Sequence, residues 1–221
     1  MFEEEAKNLY YKLIKEQKGE QWRHSPVCQG LIKKYADYFQ KGVFKIEESS
    51  ILGHPGRYKF FKKYIEKEIP DRENILEIGG GFGGLCAALN FKNYYFVDFP
   101  EIIPLAYWYL KNKGKEVNYI TPWDLPKLDA KIDLFVSTMS FCHMTRENLE
   151  YYFNEIARLK PNYLFIVSRN WKKDPTDLIM DDYPIPMGYQ LVKETKIPSN
   201  PIHLLIFRHH NHLIRVYKYV S

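Results

Sequence analysis

The chain has 221 residues, 32 Lys plus Arg against 27 Asp plus Glu, a formal net charge of +5 and 16% aromatic residues. That length buries one sizeable core with an appendage rather than two full domains. The positive excess gathers in no run of like charges, so nucleic acid is not an expected partner. Cys28, Cys86 and Cys142 are odd in number and lack Cys-x-x-Cys spacing, which argues against a disulfide framework or a zinc knuckle and for a reducing, cytoplasmic setting. No stretch approaches the roughly 18 apolar residues of a membrane span, and the acidic start, Glu3-Glu4-Glu5, is unlike a secretory leader.

Taken in chain order, residues 3–19 and 27–40 place apolar side chains at helical spacing, through Leu9, Tyr10, Leu13 and Ile14 and then Leu31, Tyr35 and Tyr38. A turn-rich stretch containing His54 leads to a third helix over 58–68, which stops at Pro70. Residues 1–70 read as a helical cap, and 71–221 as the catalytic domain. Apolar strands are expected at 75–78, 94–97, 117–120, 132–137, 163–167 and 203–207, with helices at 84–90, 100–113 and 146–159. The last of these carries Thr145 as N-cap, with Met144 and Leu149 as a hydrophobic staple. Alternation of this kind gives a doubly wound parallel sheet. A final strand at 212–219, returning through the short turn 208–211, would close it with an antiparallel hairpin. The segment 171–201 reads as irregular, of the length that lids have.

The most informative motif is Asn74-Ile75-Leu76-Glu77-Ile78-Gly79-Gly80-Gly81-Phe82-Gly83-Gly84, a short apolar strand running into glycines. A strand that turns sharply into a helix needs positive backbone dihedrals and close approach of main chain to ligand. Gly79-x-Gly81-x-x-Gly84 fits a dinucleotide fingerprint. Glu77-x-Gly79-x-Gly81-x-Gly83 resembles instead the first motif of class I S-adenosylmethionine-dependent methyltransferases. Glu77 separates the two, because an acid there repels a pyrophosphate but suits a cofactor carrying an ammonium and a sulfonium. Asp98, about twenty residues on, can accept from both ribose hydroxyls, or merely cap the next helix. Trp123 and Asp124 follow the third strand, where an adenine would lie; a Trp that only plugs the loop is the competing reading.

The resemblance extends through Val97-Asp98-Phe99-Pro100-Glu101, the aromatic run Tyr107-Trp108-Tyr109-Leu110, and Ser137-Thr138-Met139-Ser140-Phe141 followed by Met144-Thr145. Over residues 74–168 the chain is similar to the sugar O-methyltransferases of bacterial surface-polysaccharide gene clusters. It departs from them at Cys142-His143, where that family has an amide followed by an acid or His. The resemblance implies a Rossmann-like seven-stranded sheet ending in a hairpin, S-adenosylmethionine as cofactor, and a sugar, nucleotide-sugar or glycan acceptor. Ser137 and Thr138 would hold the cofactor's amino-acid end.

His143 is the candidate general base, since a sugar hydroxyl must lose its proton as it attacks and His titrates near neutrality. Arg169, Asn170 and Trp171 after the fifth strand suit a hydroxyl-rich or phosphorylated acceptor. His54, and His209 with His210 in the expected hairpin turn, are candidate acceptor contacts; no metal site is expected from them, as neighbours on a strand face opposite ways. Three rivals stay open: a nucleic-acid methyltransferase, an NAD-linked oxidoreductase, and a binding module without catalysis. Nothing in the sequence fixes an oligomeric state.

Overall fold

A computed structural model of the chain describes residues 2–15, 33, 55–172, 178–197 and 212–220. The helix expected over 27–40 (apart from residue 33), the strand expected over 203–207, His54, His209 and His210 lie outside the described residues.

Seven strands form one sheet: β1 (Asn74–Ile78), β2 (Asn93–Val97), β3 (Asn118–Ile120), β4 (Leu134–Thr138), β5 (Tyr163–Arg169), β6 (Tyr189–Lys196) and β7 (His212–Tyr219). Their order is β3-β2-β1-β4-β5-β7-β6. The first five are parallel, and β7 runs antiparallel to both neighbours. A dinucleotide-binding sheet ends instead on a parallel sixth strand. The described helices are α1 (Glu3–Lys15), α2 (Pro55–Glu68), α3 (Gly84–Ala88), α4 (Ile103–Asn112) and α5 (Arg146–Leu159).

Strand alternation divides the core into two layers, one on each face of the sheet. On one face Ile75, Phe96, Val136 and Phe165 meet Phe61, Ile65 and Ile69 at α2, Leu85 and Cys86 of α3, and Ala106 and Leu110 of α4. On the other, Leu76, Ile78, Phe135 and Ile166 meet α5, whose Leu149, Tyr152, Phe153 and Ile156 recur at helical spacing. The helix starts where its caps dictate: Thr145 Oγ1 accepts from Asn148 N at 3.3 Å, and Met144 packs in the same cluster as Leu149. Helix α2, which the sequence groups with the cap, is thus built into the sheet's own core. Helix α1 lies on α4, burying Ala6 beside Phe82, Ile102 and Leu105, and Tyr107 Oη donates to Glu5 Oε2.

The closing hairpin forms, with β7 antiparallel to β6, a strand the sequence pattern does not reveal. Five of the eight β6 residues in a row are exposed, since the strand lies at the sheet edge, and its charged Lys193, Glu194 and Lys196 break the apolar signal that marks a buried strand. The stretch expected to be irregular therefore contains a strand. Before it, residues 178–186 are strapped to the sheet: Arg215 Nη1 donates to Met180 O at 3.3 Å and its Nη2 pairs with Asp181, Arg215 Nε reaches Glu194 Oε2 at 2.6 Å, and Tyr183 Oη shares a hydrogen with Ser168 Oγ at 2.6 Å.

Candidate active site

Ligands of open α/β sheets lie beyond the carboxyl ends of the strands. There the chain leaves β1 through Gly79, whose φ of +71° and tight surroundings both require glycine: a Cβ would stand 2.0 Å from Ser140 Oγ. Gly79 N donates to Val97 O at 2.8 Å, binding the loop to the end of β2. Gly81 has φ +61° and a different environment, since a Cβ there would meet no atom within 4 Å. Its N–H donates to Asp98 Oδ2 at 2.9 Å, while Asp98 Oδ1 accepts from Phe99 N at 2.8 Å. Gly83, left-handed at φ +90°, precedes α3 and backs onto Leu110.

Both acids of the motif are buried. Burial raises the Asp98 carboxyl to about 7 against the pull of its two backbone donors, and Glu101 adds to the rise. Burial likewise raises Glu77 to about 7; Tyr94 Oη, donating to Glu77 Oε2 at 2.7 Å, works against it, and Asp98 adds to it. Glu77 lies beneath the loop, its Oε2 only 2.6 Å from where a Gly80 Cβ would be.

The opposite wall comes from β4 and the turn after it. Met139 has φ +62°, uncommon for a residue with a side chain, and its N–H donates to Val167 O at 2.8 Å. A single 3₁₀ turn, Phe141–His143, follows, closed by His143 N donating to Ser140 O at 3.0 Å. Arg169 Nη2 donates to Cys142 O at 2.8 Å and its guanidinium lies 5.6 Å from the Trp171 ring centre, so the end of β5 braces this turn.

Between the walls runs a cleft lined by Ile78 and Gly79, Val97 to Phe99, Pro122, and Ser140, His143, Met144, Asn148 and Tyr152. Three sequence candidates, Gly79, Asp98 and His143, thus share one cavity, and Gly81 is bonded to the second of them. The other candidates among the described residues lie outside its lining. Glu77 is under the loop; Trp123 packs into the α5 layer; Asp124 accepts from Thr121 Oγ1 at 2.6 Å and pairs with Lys127 at 2.6 Å. Ser137 is fully buried with its hydroxyl unpartnered among the described residues, Thr138 ends β4, and Arg169, Asn170 and Trp171 stand behind the His143 turn. Ser140, Asn148 and Tyr152 are lining residues that reading only the strand ends misses. The four-residue spacing of Asn148 and Tyr152, at the start of a helix that begins on the ligand edge, is the signal that finds them.

Among the described residues no group of three or more His, Cys, Asp or Glu converges as a metal site, and no helix is long and apolar enough to cross a membrane.

No family model matches the chain, and no curated protein matches its sequence. Solved structures do match in shape. The magnesium protoporphyrin IX methyltransferase of Synechocystis, solved with bound SAH, aligns at TM-score 0.56 and 14% identity over 86% of this chain and 99% of its own. An S-adenosylmethionine-dependent methyltransferase from Clostridium acetobutylicum aligns at 0.55 and 12% over 88% and 100%. A Pyrococcus horikoshii protein aligns at 0.58 and 16% over 80% and 93%. The fold is the Rossmann-like class I methyltransferase fold, with its antiparallel terminal hairpin.

Proposed function

We propose that the chain is an S-adenosylmethionine-dependent methyltransferase that methylates a sugar hydroxyl. The observation that carries the reading is the convergence of Gly79, Asp98 and His143 on one cleft, with Gly81 bonded to Asp98. The residues fit the cofactor. Open space at Gly81 admits a ligand against the backbone, and Asp98 at the end of β2 is placed to accept from ribose hydroxyls. Gly83 and Glu77 shape and support the loop, and Ser137 and Thr138, at the end of β4, would hold the cofactor's amino-acid end.

When bound, the cofactor supplies a methyl group on a sulfonium centre. The chain's own residues bind, orient and move a proton. Asp98 exchanges its hydrogen bond from Gly81 N for bonds from the ribose. With the cofactor bound, His143 would take the acceptor's hydroxyl proton as the acceptor oxygen gains the methyl and the sulfonium leaves as a neutral thioether, with no cation required. Orientation is worth about 7–11 kcal/mol of barrier and base assistance about 10²- to 10⁴-fold. Arg169 positions the turn that carries His143, and Asn170 and Trp171 beside it, the part of residues 1–70 that precedes α2, His54, His209 and His210 are assigned to the acceptor's surroundings.

The choice of a sugar, nucleotide-sugar or glycan in the cytoplasm rests on the likeness of the 74–168 motifs to sugar O-methyltransferases. Incubation with methyl-labelled S-adenosylmethionine and separated glycan, nucleotide-sugar and RNA fractions tests it. Label is expected in a sugar fraction; label in RNA alone overturns the acceptor.

A further inference from the structure

The turn expected to read the adenine has its acidic side chain engaged within the turn itself. In the 3₁₀ turn Pro122–Lys127, Pro122 has no N–H, and its carbonyl accepts from Tyr151 Oη at 2.7 Å. Asp124 N donates to Thr121 O at 3.0 Å, and the two oxygens of the Asp124 carboxylate accept from Thr121 Oγ1 and from Lys127 Nζ. Of this turn, Pro122 lines the cleft, while Trp123 and Asp124 do not.

Asn148 is in the opposite position. It stands in the first turn of α5, its backbone N–H spent on the Thr145 cap, and its side chain lines the cleft together with Pro122 and Asp98. Its carboxamide makes no hydrogen bond to any described residue. The helix is fixed against the Pro122 turn by Tyr151 Oη and by Arg158, whose Nη1 and Nη2 donate to Leu128 O at 2.9 Å and Leu125 O at 3.1 Å. An amide held this way offers one acceptor and one donor side by side. That pair complements the 6-amino group of adenine and the ring nitrogen beside it, the same match by which Asn reads adenine in a DNA groove.

We propose that Asn148, and not Asp124, reads the adenine edge of the nucleoside bound in this cleft, its Oδ1 accepting from the 6-amino group and its Nδ2 donating to the neighbouring ring nitrogen. This rests on the S-adenosylmethionine reading. It makes base selectivity a property of the α5 wall, whereas the ribose is held from β2.

A binding cycle tests it on the full-length chain, without turnover. Titration calorimetry compares S-adenosylhomocysteine with its 6-deamino purine analogue on the wild type, Asn148→Ala, Asn148→Asp and Asp124→Ala. The wild type should favour the amino form by about tenfold or more, a hydrogen bond's worth with one partner left bare. Asn148→Ala should bind both forms within about threefold of each other, and Asp124→Ala should keep the wild-type preference. Asn148→Asp, an acid in a helix's first turn, is compatible with α5 and should keep the amino preference because it still accepts from that group. Retained preference in Asn148→Ala, or its loss in Asp124→Ala, overturns the assignment. Failure of the wild type to bind S-adenosylhomocysteine overturns the cofactor reading itself, and is distinguishable from both.

Discussion

The two walls of the cleft are built by different means. On the β1–β2 side the backbone shapes the surface: glycines at positive φ, an N–H from Gly81 to a carboxylate, an N–H from Gly79 to β2. On the β4–α5 side the surface is made by side chains, Ser140, His143, Asn148 and Tyr152, carried on a turn and a helix. The first wall suits what every cofactor of one kind has in common. The second is made of side chains that can change residue by residue. Beyond the paired strands β1 and β4 the walls meet again where Ser140 sits against Gly79, with no room for a Cβ between them.

The largest effect expected separates chemistry from binding. His143→Ala should lower kcat by about 10²- to 10⁴-fold while S-adenosylhomocysteine affinity in calorimetry changes little. Parallel losses in both would place His143 with the cofactor wall.

Gly79→Ala attacks the contact point. It meets Ser140 and an unfavourable φ together, so chemical denaturation should show a loss of about 1–3 kcal/mol, and cofactor affinity should fall with it. If Ser140→Gly in the same chain restores affinity, the collision is the cause.

The buried acids give stability and binding opposite pH dependences. Both carboxyls are raised to about 7 from ordinary values of 4.5 and 3.8, so the folded chain holds protons that the unfolded chain releases. Their contribution to stability is complete below about pH 4 and is lost as pH rises through about 7. Glu77→Gln, which keeps an acceptor for Tyr94 Oη, should flatten that profile in melts from pH 5 to 8, removing up to about 3 kcal/mol of pH dependence. Affinity for S-adenosylhomocysteine should instead rise through about pH 7, because an ionised Asp98 is the better acceptor for ribose hydroxyls. A stability profile that rises over this range would contradict the burial of both acids.

The smallest effect belongs to the frame of the second wall. Thr145→Ala removes the cap on Asn148 N and should cost about 1 kcal/mol in chemical denaturation, with the preference for the 6-amino nucleoside weakened because Asn148 is less firmly held.

The cofactor wall was legible in the sequence because its constraints are local. A glycine forced by a turn and an acid a fixed distance downstream leave their mark in the order of residues, and Thr145 with Leu149 marked the start of α5 equally well. The other wall was only partly legible. His143, expected from its place after β4, lines the cleft, whereas Trp123 and Asp124, expected from their place after β3, do not, and it took the three-dimensional packing of α5 on the Pro122 turn to bring Asn148 to it. The strand β6 was missed for a related reason: a charged edge strand lacks the alternation that burial imposes.

Titration of the full-length chain with S-adenosylhomocysteine, in parallel with Asp98→Ala and with NAD as the competing ligand, tests the central claim most directly. Saturable binding to the wild type, weakened about 10- to 100-fold by Asp98→Ala and unaffected by NAD, is the predicted result. Binding of NAD in place of S-adenosylhomocysteine, or binding that ignores the loss of Asp98, would contradict it.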